Sequence, residues 1–140
     1  MSNAGIIITL ALIASAFWVA RKGAPLPGIF GSRSCQGASW LRAFPHATNH
    51  DIRSFLSVFV DAFAFHDQHR LKFNPNDRIL DVYRALYPHK WLPDALELET
   101  LAVSVEKKYD IEFVKVWNEG LTLGQLFSQV QSQGVCSSAA

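Results

Sequence analysis

Hydrophobic positions along the chain form one unbroken run near the start and several periodic stretches after it. The run is Ala4 to Ala20, AGIIITLALIASAFWVA, without a charge. The clearest periodic stretch holds Ile52, Phe55, Leu56, Phe59, Val60 and Phe63, at i, i+3, i+4, i+7, i+8 and i+11. That is one stripe of an amphipathic helix, and it predicts a helix from about Asn49 to Phe65. Thr48 or Asn49 can cap its start, and Asp51 suits the positive end of its dipole.

Further elements follow from capping and turn residues. His66 to Asn76 is polar, and Asn74-Pro75-Asn76-Asp77 is a turn sequence. Asp77 is expected to cap a short helix carrying Ile79, Leu80, Val82, Tyr83 and Leu86, which Pro88 ends. Asp94 then stands as N-cap with Glu97 three residues on, a pair resembling a capping box. The helix behind it is expected to bury Leu98, Leu101, Ala102, Val105 and Tyr109. Glu97, Glu99, Glu106, Lys107 and Lys108 fall off that stripe, and Asp110 closes it. A short apolar piece, Ile111 to Trp117, leads to Gly120. Thr122 and Gln125 repeat the capping pair, and a last helix presents Leu123, Leu126, Phe127 and Val130. Residues 131–140 read as a small, polar, flexible tail.

Residues 23–47 hold Pro25, Pro27, Pro45 and four glycines and sustain no period, so they read as a linker. Ile29, Phe30, Trp40, Leu41 and Phe44 are too apolar for a fully solvated one. Some of them are expected on the domain or on a membrane surface, with a short turn around Trp40 to Phe44.

The N-terminal run, if helical, is about 25 Å long, the short end of a bilayer span. Trp18 sits near one end and Arg21 and Lys22 follow at once, while no Lys or Arg precedes it. Residues 1–22 therefore read as a membrane anchor or signal segment. The anchor reading puts the C-terminal side in the cytoplasm, in a single-pass protein of the inner (cytoplasmic) membrane. The rival is a cleavable signal peptide with Ala14-Ser15-Ala16 as its site and a secreted or periplasmic product. A buried helix is the third possibility.

Charge sharpens this division. The formal net charge is +1, yet all 12 acidic residues lie between Asp51 and Glu119. The first 47 residues hold Arg21, Lys22, Arg33 and Arg42 and no acid, and the rest is mildly acidic. A nucleic-acid-binding domain would be expected to show a basic face instead. Cys35 and Cys136 have neither CxxC nor metal spacing and read as free thiols. A disulfide between them would require an extracytoplasmic location.

Candidate chemistry is thin. His66 and His69 can share a helical face with Asp67 near, but nothing is spaced to complete a ligand set, so no metal site is assigned. GxGxxG, P-loop, HExxH and GxSxG motifs are missing. Glu97 and Glu99, two apart on a helix, do not face each other as an acid and base pair. Tyr87 and Trp91 flank Pro88 as local packing more readily than as a ligand platform. No nucleophile, base and orienter can be assembled, so an enzyme is the least favoured class.

One pattern is more specific. Asp94-Ala95-Leu96-Glu97, then Leu101, then Val105 through Phe113 (VEKKYDIEF), then Thr122-Leu123-Gly124-Gln125 resembles an acyl carrier protein. That family opens its second helix with Asp-Ser-Leu-Asp. It follows with an acidic stretch ending Phe-Asp-Ile-Glu-Ile, and starts its last helix with a sequence like Thr-Val-Gly-Asp. The resemblance covers residues 48–130 and implies an all-α fold, a small acyl-carrier-like helical bundle behind an N-terminal hydrophobic helix. The family serine carries 4′-phosphopantetheine, and counting back from Tyr109 places Ala95 at that position. Alanine has no hydroxyl to modify. Thr100 and Ser104 lie more than one and two turns along the helix. The stretch Tyr83 to Pro93 is also longer than the family's loop, and the family is more acidic.

The resulting expectation is a carrier-like domain without the carrier's chemistry and without a cofactor. It would be a non-catalytic, protein-binding module held at the membrane through residues 4–20. Its partner surface would comprise Trp91, Asp94, Leu96, Glu97, Glu99 and Glu106, facing a protein such as an enzyme with a basic patch. Two other classes stand beside it: a helical domain holding a lipid or small apolar ligand, and a structural subunit of a membrane complex.

Overall fold

The structure is a computed structural model that describes residues 5–13, 26–88 and 96–138, with side chains to residue 134. All regular elements among these are helical. Helix α1 is described over residues 5–13. It is followed by α2 (Gly28–Gly31), α3 (Gly37–Ala43), α4 (Asn49–Ala62), a 3-10 helix (Asp67–Lys72), α5 (Ile79–Leu86), α6 (Leu96–Tyr109), α7 (Phe113–Val116) and α8 (Leu123–Ser138). No strand forms among the described residues, and an isolated antiparallel bridge joins Arg78 and Thr122.

Helix α4 is the spine. Its stripe of Ile52, Phe55, Leu56, Phe59 and Val60 is buried and packs on α6 and on the 3-10 helix. Thr48 Oγ1 accepts from the Asp51 backbone N–H at 3.1 Å, so the N-cap is the threonine. The helix stops at Ala62 rather than continuing to Phe65. Phe65 N–H donates to Val60 O at 2.8 Å and Ala64 N–H to Asp61 O at 3.1 Å, with Ala64 at φ 57°. This is a Schellman ending, here with alanine where glycine is usual. The reversal turns Phe65 back onto the core, where Phe63, Phe65, Phe59 and Phe73 form a chain of ring contacts.

Helix α8 starts with a reciprocal capping box. Gln125 N–H donates to Thr122 Oγ1 and Thr122 N–H to Gln125 Oε1, both at 3.1 Å. Leu123, Leu126, Phe127 and Val130 are buried beneath it. The helix continues through Ser138, past the end expected near Val130, with Gln131 half-buried and Ser132 and Gln133 exposed.

Two expectations need correction. Asp77 does not cap α5; the N-cap is Arg78, with no side-chain bond. The Asp77 carboxylate is taken instead by Asn74 N–H at 2.7 Å and by Arg33 Nη1 at 2.6 Å, a partner 44 residues away. Residues 26–47, read as linker, belong largely to the domain. Phe30 and Trp40 are buried, and Phe44 packs edge-on to Phe127 at 4.8 Å. Burying such rings contributes roughly 1.5–3 kcal/mol each. The segment is fastened to residues 71–77: Gln36 N–H donates to Leu71 O, Asn74 Nδ2 to Gln36 Oε1, and Lys72 Nζ to Arg33 O.

In α1, Ile6, Ile7, Ile8, Leu10, Leu12 and Ile13 are all exposed. No helix among the described residues is long and apolar enough to cross a membrane. The rest of the apolar run, Trp18 included, and the Arg21-Lys22 pair lie outside the described residues.

Candidate functional site

Helix α6 carries Leu96, Glu97, Glu99 and Glu106 of the residues expected to bind a partner. Trp91, Asp94 and Ala95 lie outside the described residues, and so does the expected capping pair's first member. Leu101 and Val105 form the buried side, with Leu98, Ala102 and Tyr109 half-buried beside them. The opposite side is exposed along Leu96, Glu99, Thr100 and Val103, spaced as one helical face. Leu96 is 64% exposed and Val103 63% exposed, so two large aliphatics flank Glu99 in solvent.

The three glutamates separate into different roles. Glu97 stands four residues before Leu101, which places it at the edge of the buried stripe. It is half-buried, and Tyr87 Oη donates to its Oε1. Its Oε2 is buried and makes no hydrogen bond among the described residues. Glu106, at the other edge, accepts from the Phe113 backbone N–H at 3.2 Å and so caps the start of α7 with its side chain. Glu99 is exposed and makes no side-chain hydrogen bond among the described residues. All three are expected from the sequence as docking charges, and Val103, which is not, lies exposed on the same face as Glu99. The available signal was position: Val103 is an apolar residue on the side that the stripe leaves in water.

A groove of about 430 Å³ opens between the N-terminal end of α4, the end of α6 and α8. His50, Asp51, Lys108 and Tyr109 stand at its rim, with Phe127 and Val130 at its floor. Burial, and then the nearby Asp51 carboxylate, push the Tyr109 phenol above its ordinary value. His50 and Ser54 lie one turn apart and both line the groove, but no hydrogen bond joins them, so the serine lacks an engaged base.

His66 precedes the 3-10 helix and His69 lies within it. His66 Nδ1 accepts from Gln68 N–H as its N-cap, and Asp67 is held by Arg70 at 2.6 Å and Ser57 at 2.8 Å. Among the described residues no group of three His, Cys, Asp or Glu is placed to hold a metal ion. Cys35 is a free, exposed thiol.

The chain matches no family model, no curated protein and no solved structure.

Proposed function

We propose that this chain is a non-catalytic, acyl-carrier-like docking module, tethered to a membrane by residues 4–20 and not phosphopantetheinylated. The observation that carries the docking reading is the outer face of α6, where Leu96 and Val103 stay exposed on either side of Glu99. Isolated exposed aliphatics are ordinary, but a pair on one helical face around a single charge is a small amphipathic surface. It suits a partner with an apolar depression beside a basic patch, where the charge sets orientation more than affinity. Trp91 and Asp94 precede this face in sequence. The resemblance at residues 94–113 and 122–125 supplies the carrier half, and Ala95 removes the hydroxyl that a carrier would load. The exposed aliphatics of α1 and the uncharged run around it support the tether, with the domain on the cytoplasmic side of the membrane.

Incubation with coenzyme A and a phosphopantetheinyl transferase, read by intact mass, tests the chemical half. The wild-type chain is expected to gain nothing and Ala95→Ser one prosthetic group. A gain by the wild type at any residue overturns the reading. Fractionation with protease protection tests the tether, and a soluble product starting near Phe17 would overturn it.

A further inference from the structure

The apolar residues of 26–47 divide into two sets. Phe30 and Trp40 are taken by the core. Ile29 and Leu41, the chain neighbours of those two rings, remain 66% and 44% exposed. Both rings meet Phe73: the Phe30 and Phe73 rings lie 5.6 Å apart, and Trp40 Nε1 donates to Phe73 O. Among the described residues, Ile29 and Leu41 take no part in the core or in the side chains packed against it.

Three further observations indicate what covers them. The first acid in the chain is Asp51, so this layer carries no negative side chain, while Arg42 next to Leu41 is exposed. The uncharged run ends at Ala20 and α2 begins at Gly28. Eight peptide steps at most separate them, about 29 Å of chain at full extension. A tether that short holds the layer at high effective concentration beside a bilayer, so weak contacts suffice.

We propose that the α2 and α3 layer rests on the membrane surface, with Ile29 and Leu41 at the acyl boundary and Arg42 on anionic lipid phosphates. The contact rests on the tether reading above. It is the geometry of an interfacial patch: aliphatic side chains in the headgroup region and cations on anionic lipid.

The test uses the full chain with Cys35→Ser and Cys136→Ser, in nanodiscs containing phosphatidylglycerol. Single cysteines are placed at Ile29→Cys, Leu41→Cys, Val103→Cys and Leu10→Cys, and a hydrophilic maleimide reads their reactivity. The cysteines at 29 and 41 should react about tenfold more slowly than that at 103, since an interfacial side chain is withdrawn from water. Adding Arg42→Glu, or replacing the lipid with phosphatidylcholine alone, should return them towards the rate at 103. Rates at 29 and 41 equal to that at 103, with the cysteine at 10 protected, overturn the surface contact and leave the tether intact. A freely reactive cysteine at 10 overturns the tether and the contact together.

Discussion

Trp40 Nε1 donates a buried 2.8 Å hydrogen bond to the carbonyl oxygen of Phe73, joining two segments 33 residues apart. The indole ring also meets Phe55, Phe127 and Phe44. One side chain thereby ties a stretch without periodic pattern to α4, α8 and the turn before α5. Trp40→Ala is expected to cost about 3–5 kcal/mol in urea unfolding, the range for a large buried aromatic. Trp40→Phe should cost less, about 1–3 kcal/mol, through the carbonyl left without its donor. If residues 26–47 were only a tether, both variants would unfold with the wild type.

Gly124 is required by a close approach. Its N–H donates to Pro75 O at 2.8 Å, and a Cβ added there would stand 2.8 Å from that same oxygen. Backbone has to move to admit it, so Gly124→Ala is expected to destabilise by about 1–3 kcal/mol. Gly134, with open space around its Cβ position, is the control. There alanine should be neutral or stabilise by about 0.5–1 kcal/mol through helix propensity. Thermal melts of the two variants separate the steric effect from propensity.

Ala64 ends α4 at φ 57°. A left-handed alanine costs about 1 kcal/mol that glycine would not. Ala64→Gly should therefore raise stability by up to about that amount, offset in part by the added freedom of the unfolded chain. A lower melting temperature would show that the Schellman ending is not the native one.

Tyr109 gives the pH dependence a sign. Its phenol is raised in the folded state above the ordinary tyrosine value of about 10, by burial first and by Asp51 second. Below that value both states are protonated and the contribution to stability is complete. As pH rises through it, the unfolded chain loses the proton first and stability falls until the folded phenol also ionises. Urea unfolding at about pH 9 and about pH 11 should show a drop in the wild type that Tyr109→Phe reduces. Equal drops in both would show that the phenol is not shifted. Asp61 shifts upward too, through burial and then Asp67, with Lys108 opposing. Its effect runs the same way at acid pH: the contribution is complete below about 3.8, where both states hold the proton, and is lost as pH rises through the raised folded value.

What the sequence discloses about this fold is what local rules govern. The stripe from Ile52 to Phe63, the Thr48 cap and the Thr122 and Gln125 box each depend on residues within a few positions, and each is present. Phe30 and Trp40 carry no periodic signal because α2 and α3 have 4 and 7 residues, too few to display a period. The position of Asp77 fits a cap, but Arg33 reaches its carboxylate through the fold. At the candidate site, Glu99 sits in the open as helical spacing indicates. Glu97 and Glu106 lie at the stripe edges, where Tyr87 and the start of α7 take them up. Neither partner is marked by spacing along α6.

The central claim is that the outer face of α6 binds a protein. Affinity capture from native membranes with the full-length chain tests it most directly, comparing the wild type with Glu99→Lys/Val103→Glu. Both positions are exposed and outside the core, so the fold should survive the change. The account predicts that one protein recovered with the wild type is lost with the double variant, while membrane association is unchanged. Recovery of the same proteins by both would contradict it.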